Sequence, residues 1–132
     1  MRTRFWAADT GVTTHIKLSS GDLAGAAAES ITHAPGLHSY NSEQSFVLDM
    51  LGADKELAPG LTEAMVRFAV RQEYARNVED MLARRSRPLF LDARLAAMAD
   101  TAVGAIVAAE TRADPQVAAF KALAADYLCV PA

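Results

Sequence analysis

Along this 132-residue chain the apolar positions are most regular from Thr62 onward. Val66, Val70, Tyr74, Val78, Met81 and Leu82 recur at three and four, the spacing of an amphipathic helix. The stripe predicts one helix from Thr62 to Arg87, about 39 Å long at roughly 1.5 Å per residue. It places Tyr74 in the core with its hydroxyl at the rim. Thr62 suits the N-cap and Glu63 the first turn. Pro88 stops the run, because proline has no amide hydrogen and disfavours helical geometry at Arg87. Glu63 and Arg67, and then Arg76, Asp80 and Arg84, set opposite charges one turn apart on the solvated side.

Pro88 also fits the first turn of a further helix running through Leu89, Leu91, Leu95 and Met98. Asp100 reads as the cap of another, with Val103, Ile106 and Val107. Asp114 and Pro115 open the last, with Val117, Phe120, Leu123, Ala124, Tyr127 and Leu128 inward. Upstream, Asn41 or Ser42 with Gln44 reads as the capped start of a short helix carrying Phe46, Val47, Leu48, Met50 and Leu51, closed by Gly52. "GADKELAPGL" then reads as a turn-rich connection. Residues 1–40 differ: "GVTTHIKL" alternates as a half-buried strand does, and the Gly, Ser, Ala and Pro that follow show no period. The expectation is an all-α fold, a compact bundle of about five helices over residues 41–132 behind an irregular leader (1–40) with room for one short strand.

Composition sharpens this picture. Alanine supplies 28 residues, which favours helices with closely approaching backbones over a bulky strand-built core. The net charge of −3 divides into 4 basic against 7 acidic residues up to Leu61 and 9 against 9 beyond it, so neither half attracts nucleic acid by bulk charge. Cys129 is the single cysteine, which excludes an intramolecular disulfide and fits a reducing compartment such as the cytoplasm. No run reaches the roughly 18 apolar residues of a membrane-spanning helix, so this segment is not expected to insert into a membrane.

The sharpest charge feature is Arg84, Arg85 and Arg87, with Arg94 beyond. The first three fall in the last turn of the predicted helix, where cations complement the carbonyl end of the dipole, and salt bridges to another domain are their second role. Glu73, Glu79 and Asp80 stand among arginines, which makes them ion-paired structure; paired catalytic carboxylates face each other across a cleft. His15, His33 and His38 are scattered, no CxxC, HExxH or HxxxH spacing occurs, and no glycine-rich phosphate loop is present. No catalytic, cofactor-binding or metal-ligating residue is assigned on these grounds.

Taken in order, "EAMVRFAVRQEYARNVEDMLARRSRPLFLDARLA" closely resembles the C-terminal domain of FAD-dependent glycerol-3-phosphate dehydrogenases and oxidases. The matching positions are Ala69, Val70, Arg71, Glu73, Ala75, Val78, Glu79, Asp80, Leu82, Ala83, Arg84, Arg85 and Arg87; Asn77 and Ser86 stand where threonine is usual. "LFLDAR" and "QVAAFKALAADYL" extend the likeness, whereas residues 1–36 match less clearly. The resemblance implies a helical cap packed on upstream flavin and substrate domains. It implies a parent that oxidises sn-glycerol 3-phosphate to dihydroxyacetone phosphate through FAD, with quinone or oxygen as acceptor, at the cytoplasmic face of the inner membrane. It gives this segment no cofactor and no catalytic residue. The contact surface expected toward the upstream domains is Glu73, Arg76, Glu79, Asp80, Arg84, Arg85, Arg87 and Arg94. A homo-oligomer is compatible with this reading. Two alternatives stand beside it: a free-standing helical interaction module, and a small enzyme built on the histidines and Cys129 that turns over without flavin.

Overall fold

The computed structural model describes residues 36–128, so "GVTTHIKL", His15, His33 and Cys129 lie outside the described residues. A 3₁₀ helix, Leu37–Glu43, kinks at Asn41 and leads into α1 (Gln44–Leu48). After a hairpin come α2 (Glu63–Gln72), a π-helical turn (Asp80–Arg85), α3 (Pro88–Leu91), α4 (Ala93–Thr111) and α5 (Val117–Leu128). The all-α expectation holds. The hairpin, β1 (Glu56–Ala58) antiparallel to β2 (Leu61–Thr62), sits inside the stretch read as a plain connection. Pro59 and Gly60 make its turn, and Gly60 takes φ 74°, a left-handed value that glycine adopts without steric cost.

The centre of the bundle is α2, whose Ala64, Met65, Val66, Phe68, Ala69 and Val70 are all buried. Its start follows the predicted chemistry, with Thr62 Oγ1 accepting from the Met65 amide at 3.4 Å. α4 packs against α2 on one side and α5 on another. Gly104 permits that closeness, since a Cβ there would collide with Val117 and press on Val78. Phe68 and Phe120 are the largest fully buried side chains, and Tyr40 meets Phe68 edge-on at 5.2 Å, fastening the 3₁₀ helix to α2.

Several expectations need correction. The helix predicted from Thr62 to Arg87 is two pieces: α2 ends at Gln72, and Glu73–Asn77 forms a corner in which Tyr74 is left-handed (φ 61°) and 72% exposed rather than in the core. The other five stripe residues are buried as predicted. The Glu63–Arg67 pair forms, but both side chains are largely enclosed instead of solvated. The helix begun at Pro88 lasts four residues before Asp92, extended at φ −157°, breaks it. Asp92 then caps α4 by accepting from the amides of Arg94 and Leu95. Asp100, predicted to cap, lies within α4, buried, with Oδ1 accepting from Thr101 and Oδ2 without a hydrogen-bond partner among the described residues. Asn41 and Ser42 supply no side-chain cap to α1, because the chain arrives already coiled in the 3₁₀ helix. Tyr127 and Leu128 are half exposed, since the element facing Tyr127 is the single turn α3, through Phe90, itself open to solvent.

Candidate functional site

Six of the eight charged residues expected to form a contact surface gather at the corner between α2 and the π turn. There Ala75, buried, donates its amide to the Ala69 carbonyl at 3.0 Å. Asn77 and Asp80 then cap each other: the Asp80 amide donates to Asn77 Oδ1 at 2.8 Å, and the Asn77 amide to Asp80 Oδ2 at 3.3 Å. Asparagine performs here the capping expected of the usual threonine. The turn that follows is wide, the Ser86 amide reaching the Met81 carbonyl five residues back at 2.9 Å.

Within this frame the charges are largely satisfied among themselves. Arg84 bridges Glu79, at 2.7 Å, and Asp80. The Arg76 side chain does not join Asp80 as predicted; only its backbone amide does, at 2.9 Å, while its guanidinium lies 4.0 Å over the Tyr74 ring. Arg85, exposed, donates to the Glu73 carbonyl. Arg87 and Arg94 are exposed on either side of α3. Burial pushes the Asp80 carboxyl up, but the Arg76 amide and the Arg84 guanidinium outweigh it and hold the group below the usual carboxylate range.

Glu73 behaves oppositely. Burial raises its carboxyl, Arg85 opposes that rise, and Glu43 adds to it. Tyr40 is likewise raised, by burial and by Glu73. Glu73, Arg85 and Tyr40 line a cavity of about 100 Å³ together with Gly60, Met65 and Ser86. That volume admits a few waters and falls well short of the roughly 300–1,000 Å³ of a drug-sized ligand site. The raised Glu73 carboxyl holds its proton to higher pH in the folded chain than unfolded, so its ionisation opposes folding as pH climbs above about 4.3. Glu73→Gln is therefore expected to raise the thermal midpoint at pH 7 and to leave it unchanged near pH 3. Circular-dichroism melts at both values check this, and a lower midpoint at pH 7 would contradict it.

Sequence reasoning missed a second charged cluster. Glu110 on α4 accepts from Arg67 at 2.6 Å and, in bidentate fashion, from Arg71 at 2.8 Å on both oxygens. Glu63 joins Arg67, at 2.5 Å, to Lys55, at 2.8 Å, extending the chain of charges to the hairpin. The Arg71 hydrogen bond, aided by Arg67, holds the Glu110 carboxyl low, as Lys55 and then Arg67 do for Glu63. Glu110 lies roughly forty positions from both arginines, beyond any local spacing signal.

Among the described residues no group of three histidine, cysteine or acidic side chains is placed to hold a metal, and no helix is long and apolar enough to cross a membrane. Residues 27–118 match the family of the C-terminal domain of alpha-glycerophosphate oxidase. The chain is also 36% identical over 100 residues to the mitochondrial glycerol-3-phosphate dehydrogenase SDP6 of Arabidopsis thaliana, a match covering 74% of this chain and 16% of that protein. No solved structure matches significantly.

Proposed function

The chain belongs to the family of the alpha-glycerophosphate oxidase C-terminal domain, and on that premise we propose that it is the helical accessory domain of a flavin-dependent glycerol-3-phosphate dehydrogenase. The chain spans 16% of the length of its Arabidopsis relative, and the chemistry belongs to the remainder. The parent oxidises sn-glycerol 3-phosphate to dihydroxyacetone phosphate, passing a hydride to FAD and the electrons on to quinone or oxygen. It works at a membrane surface, on the cytoplasmic face, without insertion by this segment. The cavity at Glu73 and Arg85, about 100 Å³, is too small for a dinucleotide, and the family matched is that of a C-terminal domain. The cofactor is therefore assigned to the upstream portion, and this domain by itself is catalytically silent.

The observation that carries this reading is the family match over residues 27–118. The corner residues Glu73, Arg76, Glu79, Asp80, Arg84 and Arg85, with Arg87 and Arg94 flanking α3, are the charged part of the surface turned toward the upstream portion. To test the assignment, the natural polypeptide is purified and assayed for flavin absorbance and for glycerol 3-phosphate-dependent dye reduction. A yellow, active protein much longer than this chain is expected. A colourless product of about this length would replace the reading with a free-standing interaction module.

A further inference from the structure

The outward face of α4, the longest helix described, lacks the charges that a solvated helix face normally carries. Between Arg94 and Glu110 the one charged residue is Asp100, and it is buried. What faces solvent over that length is Leu95, Met98, Thr101, Ala102, Ala105 and Ala109. Five of them, from Leu95 through Met98, Ala102 and Ala105 to Ala109, are spaced three, four, three and four, the rhythm of a coiled-coil seam. Met98, 78% exposed, is the most open of the large apolar side chains among the described residues. Along the Ile106 side of this seam, between α4 and the hairpin with α2, runs an open groove of about 320 Å³. Ala102, Ala105 and Ala109 line it together with Leu57, Lys55 and Arg67.

We propose that this seam pairs with the same seam of a second copy, the two α4 helices running antiparallel. The occupant follows from the order of the side chains. The seam is bulky at its start, with Leu95 and Met98, and small from Ala102 onward. A copy running the opposite way sets Leu95 against the partner's Ala105 and Met98 against the partner's Ala102, so each bulky side chain meets a small one. A parallel copy would oppose bulky to bulky and leave small against small. Charge agrees with the same register. The groove is lined by two cations, Lys55 and Arg67, and one carboxylate, Glu63, and the Lys55 side chain is 68% exposed. Antiparallel pairing brings the partner's Asp92, exposed at the start of α4, level with Ile106 on the groove side, beside Lys55. From Leu95 to Ala109 the seam is about 21 Å long, and a strip about 10 Å wide covers roughly 200 Å² per copy, against about 800 Å² for a standard interface. Pairing through α4 is therefore weak and depends on concentration. It follows from the fold and is independent of the functional reading above.

The test follows the natural polypeptide by sedimentation over a concentration series. Wild type is expected to pass from monomer to dimer as concentration rises. Met98→Glu, which puts a charge into the seam at an open position, should raise the dissociation constant on the order of tenfold or more. Leu51→Glu, at a site 74% exposed beyond the end of α1, should leave it unchanged. A second measurement needs no substitution. Labelled and unlabelled wild type are mixed, treated with a carbodiimide, which joins a carboxylate directly to an amine, and analysed by mass spectrometry. Links between Lys55 of one copy and Asp92 of the other are expected. A monomer at every concentration, a dimer indifferent to Met98→Glu, or the absence of Lys55–Asp92 links between copies would overturn the pairing. Flavin content and turnover bear on the functional reading alone, so the two can fail separately.

Discussion

Phe68→Ala is expected to lower the unfolding free energy by about 3–5 kcal/mol, a large part of the roughly 5–15 kcal/mol of a typical domain. Phe68 is 2% exposed at the middle of α2, and it also receives the Tyr40 ring. The truncation removes buried apolar surface, leaves a cavity between elements that cannot all close on it, and frees the 3₁₀ helix from its aromatic anchor. Phe68→Leu, which keeps most of the volume, should cost less than about 1.5 kcal/mol. Denaturant titration of both variants checks the pair of values. A loss below about 1 kcal/mol for alanine would show that the core is loosely packed at its centre.

Glu110→Gln is the second large effect. The substitution keeps shape but removes the charge that two guanidinium groups share, leaving Arg67, with its side chain 16% exposed, facing a neutral amide. A fully buried pair broken on one side costs about 3–5 kcal/mol, and because Arg71 is half exposed we expect about 2–3 kcal/mol here. The dependence on pH follows from the direction of the shifts. The folded-state carboxyls of Glu110 and Glu63 lie below their unfolded values, so their contribution is complete above about pH 4.3 and is lost as pH falls through the folded values. Wild type should therefore lose stability on acidification below about pH 5, and the variant should lose less over the same interval. Parallel slopes in the two pH profiles would show that Glu110 is not the linked group.

What could be read from the chain beforehand was whatever short-range chemistry writes into it. Thr62 as a cap and Pro88 in a first turn appear where side chain or ring suits a helix end, whereas Asp114 and Pro115, expected to open the last helix, stand before it: α5 starts at Val117, and Asp114 accepts from the Gln116 amide in the approach. What stayed hidden were ends that lack the usual residue. The position just past a helix is commonly a left-handed glycine, yet Tyr74 and Arg112 occupy it here, and Gln116 before α5 is left-handed too. With no glycine or proline between Gln72 and Asn77, an unbroken apolar stripe concealed the corner. Long-range pairing was equally silent, as with Glu110. For the candidate site, the identities of the charged residues were legible, but not how far they satisfy one another. Arg76 and Asp80 have the spacing of an ion pair, and the corner sends the arginine onto Tyr74 instead.

The corner at Tyr74 also bears on what the run that carries the family resemblance can do by itself. It cuts α2 to ten residues, below the roughly 12–15 at which even a favourable helix is marginal in water. Its helicity is thus lent by α4 and the hairpin, and would not survive in an excised peptide. The stretch by which the domain is known is a product of its surroundings and cannot be transplanted as a unit.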